Sequence, residues 1–431
     1  MIALIFTGTV LLMLPFSHRG ELHFIDALFT ATSAVCVTGL VVKSTGHFFT
    51  IWGQVVILAL IQLGALGILT FSTFVYLIVG KRISLNNRSL VLDSLNLSND
   101  VGSVVHGYSG LKDLFLRTVL FTIIVESLGI ILLYLSFIRY YDTAHALYYA
   151  LFHSVSAFCN AGFSVFDSSF VRWRGDVLLN VSVMLLIVLG GIGYPVVMDL
   201  FGVLKRRSKL SLHSKVVLTV TPILIVLGFL LFWLYSLPYY RAMHIGLKGT
   251  ILSSLFQSIT ARTAGFSTVD IGSLPSASLF LLALLMFIGA SPGSTGGGVK
   301  TTTIGVLFTS MWSSIKGRST PVFRGYSVSH DTVFKSIAVL FMFFVLIIVG
   351  SFVLLLVEPY PLHKVVFEVI SALGTVGLST GITPDLTSIG KLVLVVLMFL
   401  GKVGPLTVAY NVFSERHINR VQYPEGRVVV G

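Results

Sequence analysis

The sequence has little charge and almost no cysteine. Of its 431 residues, 11% are charged, 55% are hydrophobic and two are cysteine. A soluble domain carries about 25% charged residues, so this shortage excludes a soluble globular enzyme, a disordered regulator and a nucleic-acid-binding protein. Two cysteines exclude a disulfide framework and a cysteine zinc site. The composition therefore predicts a polytopic membrane protein.

Long apolar runs are abundant. A membrane-spanning helix needs about 20 predominantly apolar residues. The sequence predicts eight spans, at 1–16, 53–79, 114–138, 177–204, 215–237, 278–315, 333–357 and 388–413. The first is short. We expect it to be part of a longer first helix rather than a signal peptide, because no small-residue cleavage site follows it.

The distribution of Lys and Arg predicts the orientation, because basic residues accumulate in cytoplasmic loops. One set of connections carries 17 basic and 7 acidic residues, against 10 and 9 in the opposite set. The basic set comprises 80–117, 199–215, 316–335 and the tail from residue 414. We therefore predict a multi-pass protein of the plasma membrane with both termini in the cytoplasm.

The four outer connections contain a repeated phrase that ends at a glycine. The phrases are FIDALFTATSAVCVTGL at Gly39, ALYYALFHSVSAFCNAGF at Gly162, TILSSLFQSITARTAGF at Gly265 and VVFEVISALGTVGL at Gly377. The glycines are 123, 103 and 112 residues apart, and such internal repetition indicates a repeated architecture. Each phrase has about 10–14 residues of helical pattern, which is too short to span a membrane and fits a re-entrant half-helix.

These patterns together predict the fold class. We expect an all-α polytopic membrane protein with four tandem repeats of outer helix, pore helix and inner helix. Eight spans and four re-entrant half-helices would then surround one pore, because non-helical backbone at membrane depth is tolerated only inside protein or against a water-filled cavity. The predicted repeats are 1–79, 80–204, 205–315 and 316–413, and a cytoplasmic tail follows at 414–431.

The repeated glycines predict a cation filter. A cation that loses its water needs oxygen ligands, and backbone carbonyls supply them without burying a counter-charge. Pointing several carbonyls at one axis requires unusual backbone angles, which glycine adopts at no steric cost. The alternative is that the glycines are helix caps or packing residues, and their fourfold register disfavours it. The predicted cation filter is Val37, Thr38 and Gly39; Asn160, Ala161 and Gly162; Thr263, Ala264 and Gly265; and Thr375, Val376 and Gly377.

The sixth predicted span is too long for one helix. Its 38 residues would extend about 57 Å, whereas the hydrocarbon core is about 30 Å thick. Its middle reads GASPGSTGGGVKTTT, and Gly and Pro destabilise helix interiors, so we predict a flexible loop between two half-helices. Lys402, deep in the last span, is predicted to face the cavity below the filter and to tether this loop, because an unpaired ammonium in lipid is costly. The alternative is a lysine that snorkels to the interface.

Two other charged residues lie in apolar surroundings. Glu126 is predicted either to bind a proton or sodium, or to form a structural hydrogen bond to a neighbouring helix, and we favour the second. Arg262 lies three residues before the third filter glycine, and we expect it to brace the pore helix by bonding backbone carbonyls. Its counterparts are Cys36, Cys159 and Gly374, which we interpret as small packing residues.

The four phrases resemble the superfamily of Trk, Ktr and HKT potassium transporters over nearly the whole chain. SAFCNAGF, TARTAGF and SALGTVGLS, with the tail RVQYPEGRVVVG, are most similar to the membrane subunit of the Ktr branch. A glycine stands at all four filter positions, as in the potassium-selective members. The resemblance implies that the glycine-rich loop is an intramembrane gate. The candidate gate residues are Gly289, Ser291, Gly293, Gly296, Gly297, Gly298 and Lys402.

The resemblance also implies how such a chain works. It implies sodium-dependent potassium uptake across a bacterial plasma membrane by a homodimer. The dimer would dock on a KtrA-like cytosolic ring of nucleotide-binding subunits. The chain would need no cofactor or catalytic residue of its own. The expected ion at the filter is K⁺, and Na⁺ is the alternative transported ion. Nucleotide is expected only on the ring. Membrane lipid, but no nucleic acid, is an expected partner.

Two alternatives stay open. One is a related monovalent cation transporter of Trk type or with sodium selectivity. The other is a membrane-embedded enzyme. It is disfavoured because an enzyme would need clustered His, Asp or Glu near the midplane, and the charged residues away from the ends of the spans are only Glu126, Lys300 and Lys402. The basic segments 204–209 and 316–324 are hypothetical docking sites for the ring.

Overall fold

The fold is built almost entirely from helices. The computed structural model describes residues 1–66, 108–204 and 209–404. In these ranges the α-helices are α1 (Ile2–Leu12), α2 (Phe24–Val35), α3 (Ile51–Ala65), α4 (Tyr108–Phe137), α5 (Thr143–Phe158), α6 (Val177–Gly191), α7 (Tyr194–Leu204), α8 (Leu212–Tyr235), α9 (Leu237–Ala242), α10 (Leu247–Thr260), α11 (Ser276–Phe287), α12 (Thr301–Ile315), α13 (His330–Val357), α14 (Leu362–Leu373) and α15 (Ser388–Val403). Strands β1 (Val322–Phe323) and β2 (Tyr326–Ser327) form one antiparallel hairpin, and three 3₁₀ turns lie at Val171–Trp173, Ile271–Ser273 and Thr383–Asp385.

Three of the described helices are long and apolar enough to cross a membrane by themselves. They are α4 from Leu116 to Phe137, α8 and α13, and the bent pair α6 and α7 is a fourth candidate. Parts of the predicted spans 53–79 and 388–413 lie outside the described residues, as do 80–107, 205–208 and the tail. The prediction of eight spans therefore stays a prediction.

The burial pattern separates outer helices from inner ones. Only five of the 28 residues of α13 are buried, and three of them are Ser336, Gly350 and Ser351. In contrast, nine of the 12 residues of α2 are buried. In a membrane, helices associate through small residues that let backbones approach, while large apolar side chains face lipid. The four predicted half-helices are α2, α5, α10 and α14, and they occupy the interior.

The prediction of one continuous helix is wrong for one span. Residues 177–204 were expected to form a single helix, but α6 and α7 meet at an angle of 95°. The break contains Gly191 and Gly193, and Gly193 has a left-handed backbone with φ +91°. Pro195 follows at the start of α7 and lacks the N–H that a continuous helix would use. The predicted break in the sixth span is confirmed, because α11 ends at Phe287 and α12 begins at Thr301.

A buried ion pair joins the two ends of the described chain. Asp26, in the first turn of α2, accepts a hydrogen bond of 2.7 Å from Nζ of Lys391 in α15. The side chains are 3% and 12% exposed. The carboxylate also lies at the partly positive N-terminus of its helix. The pair therefore connects the predicted first and fourth repeats.

Replacement of Lys391 tests this connection. We expect Lys391→Met to lower the free energy of unfolding by about 3–5 kcal/mol, because it leaves a buried carboxylate without a partner. The measurement is denaturant unfolding in detergent micelles. Lys335→Met is the matched control, since Lys335 pairs with Asp331 on the surface and such a pair contributes about 0–1 kcal/mol. Adding Asp26→Asn to Lys391→Met should recover part of the loss. Equal losses in the test and control variants would show that the pair does not hold the ends together.

Candidate functional site

Each of the four interior half-helices is followed by the same backbone turn. We call residues 37–39, 160–162, 263–265 and 375–377 the four glycine segments. In every one, both the first residue and the glycine have left-handed backbones, with a buried residue between them. The φ values are +57° and +89° at Val37 and Gly39, +58° and +69° at Asn160 and Gly162, +79° and +78° at Thr263 and Gly265, and +51° and +91° at Thr375 and Gly377.

The first residues of these turns are strained. Val and Thr rarely adopt a left-handed backbone, because the branched side chain crowds the main chain. Such a conformation costs on the order of 1–3 kcal/mol and persists only where the surrounding structure enforces it. Val37, Thr263 and Thr375 all adopt it. Three segments therefore hold a disfavoured residue in this conformation, and the fourth has Asn160, which tolerates it, so the surrounding structure enforces one backbone shape in all four.

The four glycine segments form a closed ring. Each glycine lies against the main chain of the next segment, where an added Cβ would collide with the carbonyl oxygen of the middle residue. The pairs are Gly39 with the Ala161 oxygen, Gly162 with that of Ala264, Gly265 with that of Val376, and Gly377 with that of Thr38. The segments therefore follow one another around the ring in chain order, and the fourth closes on the first. All twelve predicted filter residues belong to it.

Buried hydroxyls hold the segments against their helices. Ser33 Oγ accepts a hydrogen bond of 3.0 Å from the Gly39 N–H, and Ser371 Oγ accepts one of 3.1 Å from the Gly377 N–H. In the other two segments the hydroxyl donates to the carbonyl after the glycine, from Ser156 to Phe163 and from Thr260 to Phe266. We did not predict these residues. The signal was available, because Ser33, Ser156 and Ser371 each stand six residues before the glycine.

A buried carboxylate supports the chain that follows the fourth segment. Glu368 of α14 is 1% exposed and accepts hydrogen bonds of 2.8 Å from the Thr380 N–H and from Thr383 Oγ1. Ser379 Oγ donates to it at 2.9 Å. Several donors satisfy the buried charge and fix the chain beyond Gly377. No local pattern predicts this role, because the partners follow Glu368 by more than ten residues.

The loop between α11 and α12, residues 288–300, lies directly against the ring. We call it the glycine loop. Gly297 N–H donates a hydrogen bond of 2.9 Å to Thr375 Oγ1. A Cβ on Gly296 would collide with the side chain of Thr263, and one on Gly297 would meet that of Thr375. Only residues without a side chain fit between the loop and the first residues of two glycine segments.

The glycine loop also fills the break between α6 and α7. The Ser291 N–H donates to the Gly191 carbonyl at 3.0 Å, and the Tyr194 N–H donates to the Gly293 carbonyl at 3.0 Å. These bonds satisfy main-chain groups that the helix break exposes. Within the loop, Gly289 N–H bonds the Val299 carbonyl at 2.9 Å, so the two ends of the loop are joined. Gly298, with φ +71°, makes the return turn.

Two lysines bind consecutive carbonyls of the glycine loop. Lys402 Nζ donates a hydrogen bond of 2.5 Å to the Thr295 carbonyl, and Lys300 Nζ donates one of 2.6 Å to the Gly296 carbonyl. Lys402 therefore contacts the loop, as the sequence predicted. We did not predict the contact of Lys300. The structure thus places all seven candidate gate residues in the loop or in contact with it.

The other two predicted charged contacts had different outcomes. Glu126 accepts a hydrogen bond of 3.3 Å from Gln62 of α3, which is the contact to a neighbouring helix that we favoured. Cys159 Sγ also approaches this carboxylate, at 3.8 Å. The expectation that Arg262 bonds backbone carbonyls was wrong. Its buried Nε has no hydrogen-bond partner among the described residues, and its guanidinium forms no bond to a backbone carbonyl there.

Comparisons with known proteins match almost the whole chain. The family model TrkH, a cation transport protein, matches residues 1–415. The chain is 40% identical to the Ktr system potassium uptake protein B of Bacillus subtilis, over 99% of this chain and 94% of that protein. It is 37% identical to the potassium/sodium uptake protein NtpJ of Enterococcus hirae, over 100% of this chain and 95% of that protein.

A solved structure shares the fold. The crystal structure of the potassium transporter TrkH from Vibrio parahaemolyticus aligns with a TM-score of 0.70 at 19% identity, over 91% of this chain and 79% of that chain. Together with the apolar helices, the family match identifies a multi-pass membrane transporter rather than an enzyme. The chain belongs to the TrkH family of cation transport proteins.

Proposed function

We propose that this chain is the ion-conducting subunit of a potassium uptake system of Ktr type. Four repeats of outer helix, pore helix and inner helix would surround one pore, and the four glycine segments would be its filter. The observation that carries the proposal is the closed ring of four left-handed glycines beneath which the glycine loop lies. Family membership and the names of the relatives from Bacillus subtilis and Enterococcus hirae support it.

The filter would bind the cation through main-chain carbonyl oxygens. The ring offers carbonyl dipoles and no carboxylate, which suits a weakly hydrated monovalent cation that must bind and leave quickly. The half-helices end at the ring, so their partly negative C-termini favour a cation there. Glycine at all four positions, as in the potassium-selective members that the sequence resembles, supports K⁺ rather than Na⁺ as the proposed ion. The alternative is a related transporter of Trk type or with sodium selectivity, and sodium dependence of uptake is part of the proposal.

Substitution of a ring glycine tests the filter. We expect Gly265→Asp to reduce uptake of K⁺ at least about tenfold, because the side chain would occupy the space of the Val376 carbonyl and would strain the left-handed backbone. The measurement is growth at low K⁺ of a bacterium that lacks its own uptake systems and carries the chain with its partner subunit. Gly175→Asp is the matched control. A Cβ added at Gly175 would have no heavy atom within 4 Å, and the φ of this glycine does not lie in the left-handed region. Rescue by an expressed Gly265→Asp protein equal to that by the control would contradict the filter assignment.

The glycine loop would be the gate. It contacts two of the four glycine segments and is held in place by α6, α7 and two lysines, so moving it requires these hydrogen bonds to break. Lys402 adds a positive charge beneath the filter, and like charges repel more strongly where water is scarce. Opening of the loop would let K⁺ pass inward along its electrochemical gradient.

Replacement of Lys402 tests the gate. We expect Lys402→Gln to increase the maximal rate of K⁺ uptake several-fold, because it removes both the bond to Thr295 and the positive charge on the path of the cation. Uptake of K⁺ into proteoliposomes with the partner subunit measures this. Lys335→Gln, an exposed lysine on α13, controls for loss of charge alone. An unchanged or reduced rate in well-folded Lys402→Gln would show that this lysine does not restrain the loop.

Regulation would come from a partner. We propose a homodimer in the bacterial plasma membrane, with both termini cytoplasmic, docked on a KtrA-like ring that binds the nucleotide. The exposed basic residues Lys316, Arg318 and Arg324 lie beside the hairpin of β1 and β2 and on the side predicted to be cytoplasmic. Segment 204–209 is the second proposed contact, and 205–208 lie outside the described residues.

Neutralisation of the described segment tests the docking site. We expect replacement of Lys316, Arg318 and Arg324 by Gln to reduce copurification of the ring, and the loss should deepen with added salt because screening weakens the remaining attraction. The matched control replaces Arg139, Arg172 and Arg241, which are exposed in the opposite set of connections. Undiminished copurification, or an equal loss in the control, would remove this segment from the proposed interface.

A further inference from the structure

A small cavity lies behind the third glycine segment. Helices α6 and α8, the end of α10 and the glycine loop border a partly open cavity of about 20 Å³. Its wall is aliphatic except for two side chains, Arg262 and Thr221, and it includes Gly191 of the helix break and Ala290 of the loop. A space of at least about 10–15 Å³ is enough to hold a water molecule. The cavity can therefore hold one small species.

Both polar side chains of the cavity lack a partner. Arg262 is 7% exposed and its Nε is unpaired, and Thr221 is 6% exposed with an unpaired Oγ1. No carboxylate is among the residues that line the cavity. Buried polar groups are nearly always hydrogen-bonded, and a buried charge is paired. Two unpaired groups that face one space indicate that something bound there completes them.

The charge of Arg262 also breaks the equivalence of the four repeats. The corresponding positions hold the neutral residues Cys36, Cys159 and Gly374. Arg262 immediately precedes Thr263, the first residue of the third glycine segment, so it places a positive charge next to the ring. Such a charge opposes the binding of any cation in the ring unless a negative charge lies beside it.

We propose that this cavity binds one small monovalent anion, of which chloride is the abundant example. The guanidinium of Arg262 and the hydroxyl of Thr221 would donate hydrogen bonds to it. A water molecule also fits the space, but it carries no charge and would leave the buried Arg262 guanidinium without a counter-charge. A halide only accepts, which matches a wall whose free side-chain groups can donate. The anion would neutralise Arg262 and would lie directly behind Ala290 of the glycine loop.

Anomalous diffraction tests the site without any transport assay. Crystals of the full-length protein are grown with bromide as the only halide, and data are collected at the bromine edge. We expect an anomalous peak beside the Arg262 guanidinium. We expect no peak there in Arg262→Gln, while the control Arg241→Gln, an exposed arginine near α10, should retain it. Density without an anomalous signal would identify water and overturn the proposal.

A second measurement uses solution stability. A halide that binds only the folded protein raises its unfolding temperature with concentration. We expect bromide, compared with gluconate at equal ionic strength, to stabilise wild type and Arg241→Gln but not Arg262→Gln. Should Arg262→Gln fail to fold, the isosteric Thr221→Val replaces it. Loss of one hydrogen bond should weaken the halide affinity about two- to tenfold. An unchanged affinity in Thr221→Val, or equal stabilisation of Arg262→Gln, would overturn the proposal.

Discussion

Backbone-to-backbone packing of the four glycine segments is the constraint on which the rest of the structure depends. Each glycine lies so near the next segment that even one methyl group would collide with a carbonyl oxygen. The contact is cyclic, so no segment can shift alone. It also explains how Val37, Thr263 and Thr375 are kept in a left-handed backbone that their side chains disfavour. The buried hydroxyls of Ser33 and Ser371 fix the same segments from behind.

The same constraint extends outward through the helices. A Cβ on Gly64 of α3 would collide with the carbonyl that ends α2, and Gly190 of α6 and Gly401 of α15 meet the last carbonyls of α5 and α14 in the same way. Three helices are thus pressed against three half-helix ends. The third repeat has the glycine loop at this place instead, and the loop continues into the break between α6 and α7. The main-chain packing of the ring therefore continues between these helices and the ends of the half-helices.

Much of this arrangement could be predicted from the sequence, since it is carried by local patterns. The repeated phrases predicted four short interior helices, and the glycines at their ends predicted residues that meet at one place. The composition of 289–298 predicted the loop. We did not predict the bend at Gly191, because the apolar pattern of α6 continues into α7, although Gly191, Gly193 and Pro195 gave a local signal for it. The pair of Asp26 with Lys391 joins residues 365 apart, and no local pattern reports it.

Departures from fourfold equivalence are concentrated where control of a pore would be needed. In the proposed filter, four glycine segments of one backbone shape would supply equivalent ligands to an ion on their common axis. A gate, in contrast, requires residues that differ between the repeats. The glycine loop belongs to the third repeat alone, Lys402 to the fourth, and Arg262 again to the third. Lys402 and the loop's own Lys300 bind carbonyls of the loop, and Arg262 lines the cavity that Ala290 of the same loop borders. Lys300, Lys402 and Arg262 therefore all lie in or next to the loop that we propose as the gate.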